Sequence, residues 1–342
     1  MTRSPNPSFA MLLQAVRPQP DMAEMRRLAA ERMDWGALVM QARGHGVAPL
    51  LLRGLNLAGL PLPDGLQDIV AFVARRSLAL TRELLNVTAA LTQAGLPYLT
   101  FKGPTESLQA YGDLSLRSFQ DIDLLVEPQA FNRACTVLQS LGYEVYGTSS
   151  QTHPVSATQI LLRHRERRLL IDLHSHWTDF PNLFDWSFGD AFDSRIAVDV
   201  AGQPIYTLPD TERLLFLCLH GGLHIWGRLN WVCDLAWEFA HRDWDADILL
   251  PRAGQLGVQR TMMLGLALGQ SLLGMSLSDG LAKSLPLGLR YLQHDIAALL
   301  ESNPGQARRG RAHALLCHML LRDSHRKRAV ELRYRLRRNL DR

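Results

Sequence analysis

Three groups of residues in this 342-residue chain have types and spacing suited to chemistry. The first is Arg117-Ser-Phe-Gln-Asp121-Ile-Asp123-Leu-Leu-Val126. In a strand, Asp121 and Asp123 project from one face with Cα atoms roughly 6.5–7 Å apart. Carboxylates at that distance can converge on a divalent cation and hold it for a phosphate-bearing substrate, and Mg²⁺ favours such partial carboxylate shells. A solvated or capping role is the competing reading, because Asp-x-Asp occurs at many turn-to-strand junctions. The second is Asp172, inside the apolar stretch Leu169–Leu173, where a lone acid is costly to bury unless it binds metal or pairs with a nearby Arg or His. The third is Phe101-Lys102-Gly103-Pro104-Thr105. There a glycine would let a phosphate approach the backbone, a helix N-terminus would offer free N–H groups, and Lys102 would add a point charge. A surface lysine in a turn is the alternative, weakened by scarcity: the chain has only Lys102, Lys283 and Lys327.

These groups need elements to position them. Residues 8–95 read as helices, with apolar positions three and four apart in Leu78, Leu80, Leu84, Leu85, Val87 and Leu91. The pattern changes at Gly95-Leu96-Pro97. From there the sequence predicts strand 98–101, helix 105–111, strand 122–126, helix 128–141 and strand 143–146, then a hairpin of strands 160–163 and 168–174. Such alternation indicates an α/β or α+β core with a mixed sheet. The helical period returns at Thr207. Three regions are therefore expected: a helical region over 1–95, a catalytic core over 96–206, and a helical region with a basic tail over 207–342.

A helix predicted over 212–241 would place His220, His224 and Arg228 at i, i+4 and i+8, with Trp231 and Asp234 drifting onto the same side. A polar stripe on an otherwise apolar helix suggests a cleft, with histidines satisfied inside helical packing as the alternative. The His220/His224 spacing is that of zinc proteases, but Gly221 stands where that motif needs glutamate. Gly221-Gly222 in mid-helix costs roughly 1 kcal/mol per residue, which implies something packed close by.

The charge is unevenly distributed. Between Arg308 and Arg342 stand twelve basic and three acidic residues, a net of +9, while the whole chain is +4. The body is therefore mildly acidic, which argues against a general nucleic-acid binder. Leu332, Leu336 and Leu340, interleaved with Arg333, Arg335, Arg337 and Arg338, predict a basic amphipathic helix. Docking on the acidic body is its first reading, and an anionic partner its second. Cys135, Cys218, Cys233 and Cys317 show no CxxC spacing, so structural thiols are expected rather than a disulfide framework or a thiolate metal site. No secretory signal is visible, and Thr261–Met275 is too short and glycine-rich for a membrane span, so a cytoplasmic location is the expectation.

The order of motifs resembles the polymerase-β-type nucleotidyltransferase superfamily, and more closely the family of uncharacterised nucleotidyltransferases. The resemblance covers about residues 75–245 and rests on Lys102-Gly103, Tyr111, Asp113, Arg117, Asp121-Ile-Asp123, Asp172-Leu-His174-x-x-Trp177 and the His220/His224/Arg228 segment. It implies a polymerase-β-like core and a magnesium-dependent transfer of a nucleoside monophosphate from an NTP such as ATP to an acceptor hydroxyl or phosphate, with Mn²⁺ as the alternative ion. Asp121 and Asp123 would bridge two Mg²⁺ ions, and Asp172 would ligate the one near the attacking hydroxyl and accept its proton. Lys102 would neutralise the departing pyrophosphate. The superfamily usually has Gly-Ser in the first turn, so Lys102 and the backbone of Gly103–Thr105 would have to hold the triphosphate. Arg117 fits a phosphate contact or a pair with Asp113. His174 is expected beside the carboxylates, with residues 172, 174 and 176 on one face, and Trp177 in the core. A metal-dependent glycosyltransferase using the Asp-x-Asp pair, and a non-catalytic relative within a biosynthetic complex, are the alternatives.

Overall fold

The computed structural model describes residues 6–31, 33–148, 158–178, 183–282, 285–302 and 310–340. The chain begins with helices α1 (Pro7–Ala15), α2 (Met22–Ala29), α3 (Trp35–His45), α4 (Ala48–Ala58) and α5 (Leu66–Gln93). Next come β1 (Tyr98–Thr100), α6 (Pro104–Tyr111), β2 (Asp121–Val126), a 3₁₀ turn leading into α7 (Phe131–Ser140), β3 (Tyr143–Thr148), β4 (Gln159–His164), β5 (Leu170–His174), α8 (Phe188–Asp193), β6 (Ile196–Val200) and β7 (Gln203–Thr207). The remainder is helical: α9 (Asp210–Leu223), α10 (Leu229–His241), α11 (Ala246–Leu256), α12 (Gln259–Leu273), α13 (Leu287–Glu301), α14 (Arg311–Leu321) and α15 (His325–Leu340). Helical, mixed, then helical is the order the sequence predicts.

In space the chain forms two compact units. One takes Met1–Val73, Leu116–Ser118 and Leu214–Arg342; the other takes Ala74–Ser115 and Phe119–Arg213. The mixed unit thus includes most of α5, which the sequence reading assigned to the N-terminal region.

The mixed unit holds a seven-stranded sheet in the order β3-β4-β5-β2-β1-β7-β6. β2 lies antiparallel to β1 and parallel to β5, and β1 runs parallel to β7. This is the mixed α/β sheet expected. Side chains alternate across each strand. One face presents Ile122, Leu124, Val126, Leu162, Ile171 and Leu173 to Leu80, Leu84, Val87 and Leu91 of α5 and to Ala134 and Leu138 of α7, forming the core. Leu78 of the predicted apolar stripe points outward, 62% exposed. The other face carries Asp121, Asp123 and Asp172.

The hairpin β6–β7 was not predicted. Its turn, Ala201-Gly202, has both residues at positive φ (52° and 83°), the geometry of a two-residue hairpin. Asparagine or aspartate before the glycine is the usual signal, and alanine gives none.

In the helical unit, buried His45 joins three helices. Its Nε2 donates to the Leu300 carbonyl at 2.8 Å, and its Nδ1 accepts from the Leu229 amide at 3.2 Å. The expected single helix over 212–241 is broken: α9 stops at Leu223 and α10 starts at Leu229, with Ile225 and Trp226 at positive φ. Burial of the Trp226 ring explains the break and Gly221, and close packing of Thr261 explains Gly222. A Cβ on Gly221 or on Gly265 would lie 2.6 Å from that ring, and one on Gly222 would lie 2.0 Å from Thr261 Cγ2. No helix among the described residues is long and apolar enough to cross a membrane.

Candidate active site

The carboxylates are brought together by register. β2 and β5 run parallel with Asp123 directly beside Asp172, and Asp121 precedes Asp123 on the same face. His174 follows Asp172 by two residues, so it shares that face, as expected. Its Nε2 lies 3.3 Å from Asp172 Oδ2 and 3.6 Å from Asp123 Oδ1. One ligand atom each from Asp123, Asp172 and His174 lies within 4.8 Å of the other two. Asp121 stands outside this tightest group, yet its carboxyl interacts electrostatically with Asp123, Lys102, Asp172 and His174.

Lys102 arrives from the adjacent antiparallel strand. Just past the end of β1, its Nζ pairs with Asp123 Oδ1 at 2.7 Å. The turn that delivers it needs glycine, because Gly103 has φ +68° and ψ −132°, a region closed to side chains. Thr105 is fully buried, and its hydroxyl donates to the Lys102 carbonyl at 3.2 Å. Thr207 braces the same turn through the Thr100 carbonyl at 2.8 Å. Thr105 therefore contributes its side chain to the scaffold, and only its backbone remains for a phosphate. Beneath the turn, Glu106 and Arg213 form a buried ion pair at 2.8 Å.

The electrostatics are those of carboxylates crowded in a low-dielectric cleft. Burial, reinforced by Asp123 and opposed by Lys102, raises the Asp121 carboxyl to about 6. Burial also works against ionisation of Asp123, but Lys102 and His174 prevail and hold it near about 2. Burial opposes the charged form of His174 too, yet Asp172 and Asp123 carry it up to about 9. Three acids thus face two cations, leaving a net negative cleft. Asp172 Oδ1 is buried without a hydrogen-bond donor among the described residues, while Oδ2 accepts from the Gln159 amide. An anionic oxygen in that state is costly unless a cation meets it. Oxygen donors, excess negative charge and an unsatisfied buried oxygen together fit a hard divalent cation such as Mg²⁺.

The remaining predicted residues are placed as follows. Arg117 is buried in the helical unit in a bidentate pair with Asp234, at 2.9 and 3.0 Å. This is a structural pair, but with a different partner from the one expected: Asp113 accepts from the Ser115 amide and hydroxyl instead. The pairing joins residues 117 apart in sequence, so no local spacing could reveal it. His220, His224 and Arg228 do not share one helix, because the backbone break puts His224 in the turn and makes Arg228 the N-cap of α10. The rings still gather: His224 stacks on Trp231 at 4.9 Å, and His220 lies edge-on to both.

β5 ends at His174, so His176 leaves the shared face; it is exposed and bonded to Ser175. Trp177 is in the core, edge-on to Phe101 and stacked on Trp186. Gln159 was missed, since only the β4–β5 register brings it beside Asp172. The tail forms helix α15 as predicted, anchored by buried Glu331, which pairs with Arg322. Leu332 is 38% exposed; the side chains of residues 334–340, including Leu336 and Leu340, lie outside the described residues, as do residues 341–342.

Among curated proteins none matches the chain. Two solved structures share distant similarity. The antibiotic-resistance factor ANT(2'')-Ia is 16% identical, covering 54% of this chain and 89% of its own, with a TM-score of 0.32. An antigenic nucleotidyltransferase-like protein from Paracoccidioides brasiliensis is also 16% identical, covering 59% of this chain and 93% of its own, with a TM-score of 0.38. A family model described as uncharacterised nucleotidyltransferase matches residues 31–274, a span that holds every residue of the carboxylate cluster and its Lys102 turn. On that match the chain belongs to the uncharacterised nucleotidyltransferase family.

Proposed function

We propose that the protein is a magnesium-dependent nucleotidyltransferase that moves a nucleoside monophosphate from an NTP to an acceptor hydroxyl or phosphate, releasing pyrophosphate. One observation carries this reading: parallel pairing of β2 with β5 sets Asp123 beside Asp172, on the face Asp121 shares, with Lys102 reaching Asp123 from the neighbouring turn. The glycosyltransferase reading accounts for Asp121 and Asp123 alone, and leaves Asp172 and Lys102 in the same cluster unexplained.

In this reading Asp121, Asp123 and Asp172 hold the divalent cation. Bound there, it would polarise the transferring phosphoryl group and screen the negative charge of the triphosphate. Lys102 exchanges its contact with Asp123 for one with the phosphates, moving a positive charge toward the departing pyrophosphate. The start of α6, with Gly103 at its N-cap, offers backbone N–H groups to the same phosphates. In the same reading Asp172 orients the acceptor and takes its proton. Gln159 and His174 hold the Asp172 carboxylate in position.

The test is incubation of the protein with each labelled NTP, Mg²⁺ and pools of candidate acceptors, following pyrophosphate release and acceptor mass. Transfer should need Mg²⁺ or Mn²⁺ and be abolished by a chelator. An Asp123→Asn variant should lose at least about 10²–10³-fold in turnover, the range seen when one electrostatic transition-state contact is removed. Full turnover in that variant would refute the assignment.

A further inference from the structure

The helical unit brings together a second set of metal-binding side chains, far in sequence from the carboxylate cluster. Asp295 comes from α13, while His313 and Cys317 lie four residues apart on α14, so both project from one side of that helix. One ligand atom from each lies within 4.8 Å of the other two, and His313 Nε2 is 3.0 Å from Asp295 Oδ2. Cys317 is fully buried, whereas Asp295 and His313 are each 25% exposed.

We infer that Asp295, His313 and Cys317 form a binding site for a borderline-soft divalent ion, with Zn²⁺ as the fitting occupant. One oxygen, one nitrogen and one sulfur are a donor set that Zn²⁺ accepts and Mg²⁺ does not. Metal–ligand distances of about 2.0–2.3 Å in a tetrahedron put neighbouring ligand atoms about 3.4–3.8 Å apart. Closing the cluster from its present span therefore takes small side-chain rotations. The burial gradient gives the ion a route, with cysteine at the bottom and the two partly exposed groups at the rim. Three protein ligands leave a fourth position for water. The ion would clamp α13 to α14. On binding, the Cys317 thiol releases its proton to solvent and His313 ligates as neutral imidazole, so affinity should increase as pH rises. The spacing of the cysteines in sequence hides this site, because its oxygen ligand comes from another helix.

The experiment is a Co²⁺ titration of the full chain, stripped of metal and kept in excess Mg²⁺ so that the oxygen-donor cluster is saturated. One equivalent should produce the near-ultraviolet thiolate-to-Co²⁺ charge-transfer band and the visible bands of a tetrahedral ion, and Zn²⁺ should bleach both. The band reports the thiolate, and among the described residues none of Cys135, Cys218 and Cys233 belongs to a group of three metal-binding side chains. Cys317→Ser should lack the band, and His313→Asn should bind Co²⁺ at least about 10–100-fold more weakly. Asp123→Asn should keep the band, which separates this site from the proposed transfer activity. A folded wild-type chain with no charge-transfer band overturns the inference, and so does the same band in Cys317→Ser. If the serine variant fails to fold by circular dichroism, the decision passes to His313→Asn, at the rim, where unchanged Co²⁺ affinity overturns it.

Discussion

Two buried clusters of charge, one in each unit, are wired in opposite ways. In the helical unit, Arg117 and Asp234 form a fork-to-fork pair in which each carboxylate oxygen meets its own guanidinium N–H. In the mixed unit, Asp121, Asp123 and Asp172 share two cations, with His174 Nε2 in poorly aligned contact with two of them and Asp172 Oδ1 without a donor. Both clusters are removed from bulk water, so burial does not distinguish them. Satisfaction does. A saturated pair holds the fold and has no capacity left for a ligand. An unsaturated cluster makes the fold bear like-charge repulsion that a bound cation would relieve, which is the signature of a binding centre.

The sharpest way to break this contrast is to remove one partner from each cluster and compare stabilities. Asp234→Ala strands a buried guanidinium and should cost about 3–5 kcal/mol, read as a shift of the urea midpoint. Asp121→Asn, by contrast, removes the carboxylate whose charged form burial and the neighbouring Asp123 oppose. In chelator it should melt at or above the wild-type temperature while losing the activity described above. If instead it is destabilised as severely as Asp234→Ala, the carboxylate cluster is scaffold and the contrast fails.

Acid should strike the helical unit through His45. Burial, with a contribution from Arg228, outweighs the Leu300 carbonyl and depresses its pKa from the usual 6.5 to about 4. Between those values the unfolded chain binds a proton that the fold refuses. Stability is therefore full above pH 6.5 and falls, by on the order of 3 kcal/mol, as pH drops toward 4. Urea unfolding at pH 7 and pH 4.5 measures the slope, and His45→Asn should remove that share of it.

The smallest effect concerns packing without charge. Gly222→Ala would drive a methyl into Thr261 and should cost about 1–3 kcal/mol by calorimetry. A silent substitution there would mean the α9–α12 contact is looser than the structure has it.

The local part of this architecture was readable from the chain. Strands β1, β2 and β5, helices α6 and α7, and the Lys102-Gly103 turn follow from apolar periodicity and glycine placement, because each depends on neighbours within a few residues. The hairpin β6–β7 escaped because its turn is Ala-Gly. The helix through His220 was drawn too long because Trp226 is drawn into a pocket floored by Gly221 and Gly265, and Gly265 lies 39 residues beyond Trp226. Arg117's partner escaped for the same reason.

By itself, then, the sequence determined which side chains could do chemistry: Lys102, Asp121, Asp123, Asp172 and His174, each at the edge or on one face of a strand. Alternation along a strand is a two-residue rule, so the shared face of Asp121 and Asp123 needed nothing beyond the strand itself. Only the tertiary structure decided that Asp172 stands beside Asp123, that Gln159 holds it, that Arg117 belongs to Asp234, and that Asp295 meets His313 and Cys317. Those pairings are set by strand register and helix packing between distant segments. Such contacts form wherever apolar faces close best, and no local spacing encodes them.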